Sequence, residues 1–273
     1  MRTGECLLGQ DRESWGFDPN TPNIARLYDY YLGGKDNFAA DREAAERILS
    51  VAPEVRLAAR ENRAFLGRAV RFLAQSGITQ FLDIGTGLPT QGNVHEVAGE
   101  IVDRPRVVYV DKDPIVLGHA RAILAGRGDT TVVEGDLRRP EEILNDADVV
   151  KALDFTKPMG LLLVAIMHFI TDEDDPARIL TTLRDALPQG SHLVLSHGTR
   201  DTRAEAVEAG TQVYRNSTAP LVLRSRDEIR ALFDGFDLVD PGLVWVPEWR
   251  PAQAGVLDPP EKSLILCGVG RKS

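Results

Sequence analysis

The chain has 273 residues, of which 43% are hydrophobic and 27% charged, with a formal net charge of −9. That length suits one large α/β domain with additions, and the acidic balance argues against nucleic acid as the partner, since phosphate-backbone binders carry a basic footprint. No apolar run approaches the ~18–20 residues of a membrane span, the N-terminus lacks an apolar signal core, and Cys6 and Cys267 sit far apart with no C-x-x-C, so a reduced, soluble, cytoplasmic protein is expected.

Residues 1–20 are polar and aperiodic and read as a flexible tail. Thr21-Pro22 opens a helix whose Ile24, Leu27, Tyr28, Tyr31 and Leu32 form an i, i+3, i+4 stripe ended by Gly33-Gly34. A second helix is expected over 39–50. A third starts at Pro53 and carries Val55, Ala58, Ala59, Asn62, Phe65, Leu66, Ala69, Val70 and Leu73 on one face as far as Gly77. Residues 21–77 thus read as a helical cap. From Ile78 the pattern alternates. Strands are expected over 80–84, 106–110, 131–134, 159–166 and 192–196, and helices over 91–101, 114–126, 141–151 and 174–187. Such alternation predicts a mostly parallel sheet covered on both faces. A helix over 202–215 and an irregular piece to Arg224 form an insertion that reads as a lid. Ser225-x-x-Glu228 caps a further helix. Two apolar runs, 236–246 and 263–269, flank a Pro-rich loop too irregular for a crossover helix, so they are expected as antiparallel neighbours.

The organising stretch is Phe81-Leu-Asp-Ile-Gly-Thr-Gly-Leu-Pro-Thr90, a strand, a glycine turn and a helix start. In open α/β sheets, ligands bind beyond the carboxyl ends of the strands. The dinucleotide pattern Gly-x-Gly-x-x-Gly would need glycine at Thr90, which favours a ligand without a pyrophosphate. Asp83 can face the ammonium of a methionine moiety. Asp111, closing the second strand, can accept from both ribose hydroxyls; Asp113-Pro114 reads as a helix cap. Asp136, after the third strand, can accept from an adenine amine, with the Leu137 amide beside a ring nitrogen. Each acid alone is explained by an ordinary turn. The ordered set of three at successive strand ends points to S-adenosylmethionine, with Gly85, Thr86, Gly87, Lys112 and Ala165 completing the expected cofactor contacts.

His168, after the fourth strand, stands where a methyl group is expected and is a candidate general base; its alternative role is a cavity wall. Tyr31 is the next candidate, and His197 a weaker one. Thr171-Asp-Glu-Asp-Asp175 reads better as helix capping than as a Mg²⁺ site, and no metal is expected. Gly33-Gly34-Lys35-Asp36-Asn37 fails the P-loop pattern. Its neighbourhood is rich in aromatic and amide side chains, so Tyr28, Lys35, Asn37, Phe38 and His197 are candidates for a lid over cofactor and acceptor, with packing of the cap on the sheet as the equal alternative.

The stretches Thr21–Phe38, Phe81–Thr90 and Leu195-Ser-His-Gly198 closely resemble a bacterial family, common in actinomycetes, once known only as a domain of unknown function and now called S-adenosyl methyltransferase. The resemblance covers about residues 18–270. It implies the Rossmann-like class I methyltransferase fold, seven-stranded and mostly parallel with an antiparallel last strand, and S-adenosylmethionine as ligand. Pro89 stands where the broader Gly-x-Gly-x-Gly pattern has its third glycine, a feature of this family. The resulting expectation is in-line methyl transfer to an O, N or C nucleophile of a small molecule, in the main by positioning and desolvation. Two rival readings are a non-catalytic module that binds the same cofactor and a nicotinamide-dependent oxidoreductase. The missing third glycine and the closing antiparallel pair speak against the second.

Overall fold

Alternating apolar and glycine-rich segments build one sheet in the computed structural model of the chain, which describes residues 17–273 except 90–91, 125–128, 203, 216 and 252–258. Strands β1 (Gln80–Ile84), β2 (Arg106–Asp111), β3 (Thr130–Glu134), β4 (Gly160–Val164) and β5 (His192–Gly198) pair in parallel in the order 3-2-1-4-5. The remaining strands are β6 (Asp237–Leu238), β7 (Val244–Trp245) and β8 (Ile265–Arg271). β8 runs antiparallel between β5 on one side and β6 and β7 on the other. The run expected over 236–246 is therefore not one strand. The turn around Pro241 and Gly242, the latter at φ +87, interrupts it after Leu238. β6 and β7 share one position, which gives seven strand positions with the antiparallel strand inserted next to the outermost.

The helices are α1 (Ile24–Tyr31), α2 (Ala39–Leu49), α3 (Val55–Gln75), α4 (Val94–Gly99), α5 (Pro114–Leu124), α6 (Pro140–Leu144), α7 (Ala147–Ala152), α8 (Pro176–Ala186), α9 (Ala204–Tyr214) and α10 (Arg226–Ala231). The helix expected over 141–151 is two, because Asp146 leaves helical geometry and its carboxylate caps α7 through the amides of Asp148 and Val149. Strand β4 ends two residues early, because Ala165 takes a left-handed conformation at φ +57. The acidic run before α8 is spent on caps: Asp174 accepts from the amide and hydroxyl of Thr171, and Asp175 caps α8. Residues 1–16 of the tail expected over 1–20, Thr90 and the start of the 91–101 helix lie outside the described residues.

Two clusters sandwich the sheet. On one face α3 sets Phe65, Leu66, Ala69, Val70 and Leu73 against Phe81, Val107, Val194 and Trp249. On the other, Ile179 and Leu183 of α8 and Phe233, just past α10, pack on Leu82, Val108 and Leu161. Burial of each such side chain contributes roughly 1.5–3 kcal/mol. A third, smaller cluster joins Leu27 and Tyr31 of α1 to Ala44, Ala45 and Ile48 of α2, and Ala59 of α3.

The cap has its own polar centre. Asp41 is fully buried and accepts from the amides of Asn23 and Phe38 and from Nε of Arg26, which is itself 1% exposed. The Arg26 guanidinium lies against the stacked rings of Phe17 and Phe38. Beside it, the loop after α1 closes on a second buried carboxylate. Asp29 accepts from the Asp36 amide at 3.0 Å and the Asn37 side-chain amide at 2.8 Å. A Cβ on Gly34 would meet Asp29 Oδ1 at 1.9 Å, so only glycine fits. Gly34→Ala should therefore destabilise the fold by about 2 kcal/mol or more, through overpacking and displacement of a buried acceptor. The check is the urea midpoint; an unchanged midpoint would mean that the loop reorganises freely.

Candidate functional site

The ends of β1, β2 and β3 deliver their turns to one cavity of ≈ 390 Å³ roofed by α1, α3 and α9. The turn after β1 is fixed by backbone chemistry. Gly85 and Gly87 take φ +76 and +67, and Gly85 and Thr86 donate to the Val110 carbonyl. A Cβ on Gly85 would run into Ile166 at 2.5 Å, whereas one on Gly87 would meet nothing within 4 Å. Gly85 is thus closed from above by the loop after β4, and Gly87 is open to close approach by a ligand.

Four acids converge here. Asp83 is 6% exposed, and burial pushes its carboxyl up to about 7, with Arg63 opposing and Asp111 adding to the rise. Asp111 accepts from the Gly87 amide on Oδ2 at 2.9 Å and from the Asp113 amide on Oδ1 at 3.0 Å. Burial still outweighs these bonds and raises its pKa. Asp113 caps α5 through the amides of Ile115 and Val116 and accepts from the side chain of Asn23, the residue that caps α1. That bond ties the roof to the edge of the sheet. Asp136 is held by the backbone amide and guanidinium of Arg138. Burial alone would raise Asp136; the Arg138 bonds prevail and lower it.

The roof is linked to the floor by a second route. The Tyr28 hydroxyl donates to the Ala59 carbonyl and accepts from the Asn62 side-chain amide at 2.9 Å. The Ser196 hydroxyl donates to Asn62 Oδ1 at 2.6 Å, and the Ala165 amide donates to the Ser196 hydroxyl at 2.9 Å. Asn62, at 2% exposure on the apolar stripe of α3, is the junction. Tyr31 lines the cavity with its hydroxyl beside that of Tyr214, yet without a hydrogen bond of good geometry. Burial raises both phenols, Tyr214 to about 12 and Tyr31 further.

His168 lies in a 3₁₀ turn after β4, 7% exposed and on the cavity wall. Its Nδ1 accepts from the Gly198 amide at 3.2 Å, which leaves the ring proton on Nε2. Burial, then His197 and Arg224, lower its pKa well below the ordinary imidazole value. His197 is fully buried off the cavity, with a pKa lowered to about 4 by burial. Its Nε2 faces Arg224, whose guanidinium also donates to the carbonyls of Met167 and Ile170 and to Asp172. Arg224 thereby holds the turn that carries His168.

The cavity unites Tyr28, Tyr31, Asp83, Gly85, Thr86, Gly87, Asp111, Lys112, Asp136, Leu137, Ala165 and His168. It does not include Lys35, Asn37, Phe38 or His197. Lys35 is exposed, Asn37 is spent on Asp29 and the Gly34 carbonyl, and Phe38 is stacked under Arg26. Spacing did not single out Asn62, Ser196, Tyr214 or Arg224 as site residues. Only a polar residue within the α3 stripe hinted at the first.

The family model described as S-adenosyl methyltransferase matches residues 10–273. No curated protein matches. Among solved structures, a putative methyltransferase from Thermobifida fusca YX is 41% identical, with a TM-score of 0.88 over 93% of this chain and 96% of that one. A DUF574 family protein from Streptomyces avermitilis MA-4680 is 40% identical, with a TM-score of 0.89 over 94% and 99%. The N-methyltransferase NodS of Bradyrhizobium japonicum, solved with S-adenosylhomocysteine, is 14% identical, with a TM-score of 0.51 over 90% and 98%, and shares the fold.

Proposed function

The chain belongs to the S-adenosyl methyltransferase family, whose cofactor is S-adenosylmethionine, and from that premise we propose that it methylates a small molecule held between the strand-end turns and the roof of α1 and α9. The observation that carries this reading is the convergence of Asp83, Asp111 and Asp136 on one cavity closed from above by helices. S-adenosylmethionine supplies an electrophilic methyl group on a sulfonium. The residues present fit it. Asp83 is a buried carboxyl that burial keeps partly protonated, with Arg63 only partly offsetting the rise, so a ligand ammonium suits it. Asp111 has lone pairs left on both oxygens for a diol. Gly87 offers open backbone, and Leu137 lines the same wall.

The chain's own part is placement and dehydration of the acceptor, for which well-oriented systems gain up to ~7–11 kcal/mol. The groups near the reacting centre are set to donate rather than remove protons. His168 has its acceptor nitrogen engaged by Gly198, and both phenols stay protonated at neutral pH. His168 then acts through Nε2–H and by its shape, and Tyr31 as a neutral hydroxyl. An acceptor that needs no protein base at the moment of transfer suits this site.

The test is calorimetric titration with S-adenosylmethionine across pH. Only ionised Asp83 attracts a cation, so below its pKa of about 7 binding must release a proton. Affinity should climb about tenfold per pH unit towards pH 7 and flatten above it, and Asp83→Asn should give a weak, flat profile. In the ligand-free protein the sign is opposite. The raised pKa means that the native state binds the extra proton between pH 3.8 and about 7, so stability falls as pH rises through that window. Absence of S-adenosylmethionine binding at pH 8 would overturn the proposal.

A further inference from the structure

The charged side chains on the cavity wall, among the described residues, stand on the strand-end turns or, as Arg63 does, face Asp83 electrostatically. The opposite end is different. There α1, α2, α3 and α9 contribute Tyr31, Ile48, Val55, Ala58 and Val207, and the loop after β4 contributes Phe169. The Phe169 and Tyr214 rings lie 5.5 Å apart and inclined at 48°, and the His168 ring sits edge-on to Phe169 at 4.5 Å. The three rings pack on one another and form an aromatic wall at this end of the cavity. Its polar features are the hydroxyl pair of Tyr31 and Tyr214 and the Nε2–H of His168. Tyr31 is 4% exposed, and its hydroxyl is buried without a hydrogen bond of good geometry. The Tyr31 hydroxyl has no open surface and faces that of Tyr214, so Tyr214 is the member of the pair that a ligand oxygen would meet. Arg56 acts on Tyr31 electrostatically but is half-exposed and paired with Glu46, so an ion at this end would lose its hydration with no lining side chain of opposite charge to replace it.

We infer that this end of the cavity is the acceptor subsite and takes an uncharged molecule with a flat aromatic body and one hydrogen-bonding oxygen set against the Tyr214 hydroxyl, which Tyr31 backs. This rests on the methyltransferase reading above and narrows its substrate class. The wall supplies stacking and edge contacts to the ring, while the hydroxyl pair supplies direction. Sites built to hydrogen-bond a ligand oxygen reject the analogue lacking it, because their own polar group is then left unpaired. Carboxylates and amines are rejected for the desolvation reason.

The experiment is equilibrium dialysis of the full chain, saturated with S-adenosylhomocysteine, against 1-naphthol, naphthalene, 1-naphthoate and 1-naphthylmethylammonium. The expected order places 1-naphthol at least about tenfold tighter than the other three. Tyr214→Phe should bring 1-naphthol to the level of naphthalene while leaving naphthalene and S-adenosylhomocysteine within about twofold. Equal or tighter binding of either ion, survival of the naphthol preference in Tyr214→Phe, or binding of none of the four would overturn the inference. Failure of S-adenosylhomocysteine itself to bind would instead sink the methyltransferase reading beneath it.

Discussion

Asp111→Asn should weaken S-adenosylmethionine binding by at least about 100-fold. A hydrogen bond to a charged acceptor is worth about 1.5–3 kcal/mol, and a carboxylate closing β2 is proposed to receive two from the ribose, so about 3–6 kcal/mol is at stake. Asparagine keeps the shape but replaces one oxygen with a donor. That donor must face either the Gly87 or the Asp113 amide, both of which now point at carboxylate oxygens. The turn and the ligand are therefore damaged together. Asp136→Asn should cost much less, under about tenfold, because Arg138 already occupies much of that carboxylate. Equilibrium dialysis separates the two. Affinity within threefold of the parent in Asp111→Asn would remove this residue from the cofactor site.

Arg26→Met should lower stability by about 3–5 kcal/mol, the usual cost of stranding one member of a buried ion pair. Arg26 and Asp41 are 1% and 0% exposed, so Asp41 would be left buried with two backbone amides and no cation. Urea unfolding followed by far-UV dichroism is the measurement. The double variant Arg26→Met, Asp41→Leu should recover the charge-desolvation part but not the amide bonds to Asn23 and Phe38. A single variant within 1 kcal/mol of the parent would mean that water reaches Asp41.

Local grammar carried most of the architecture. The change at Ile78 from an i, i+3, i+4 stripe to short apolar runs alternating with helical patterns marked where the sheet begins, and glycine and acidic turns marked the strand ends. The three acids could be ordered from the residue pattern alone, because parallel topology puts every strand's carboxyl end on one edge. Spacing failed where the deciding contact joins distant residues. The residue pattern left Gly33–Asn37 open between a lid and packing of the cap, and the amides of Asp36 and Asn37 are taken by Asp29, one turn back inside the helix. The 236–246 run was apolar enough for a strand, but the turn at Pro241-Gly242 divides it. Asn62 finds its partners 34 positions earlier and 134 later, and no periodicity reports a pairing across such separations.

The bonds running from Tyr28 through Asn62 and Ser196 to the Ala165 amide cross from the roof to the end of β4. Their consequence is thermodynamic. One end of this chain of bonds stiffens the wall against which the acceptor is proposed to rest, and the other stiffens the loop over the glycine turn. On that proposal, whichever ligand arrives first should lower the conformational entropy still to be lost when the second arrives. By linkage such a gain is mutual, so a filled cofactor site should tighten the proposed acceptor site by the same factor as the acceptor tightens the cofactor.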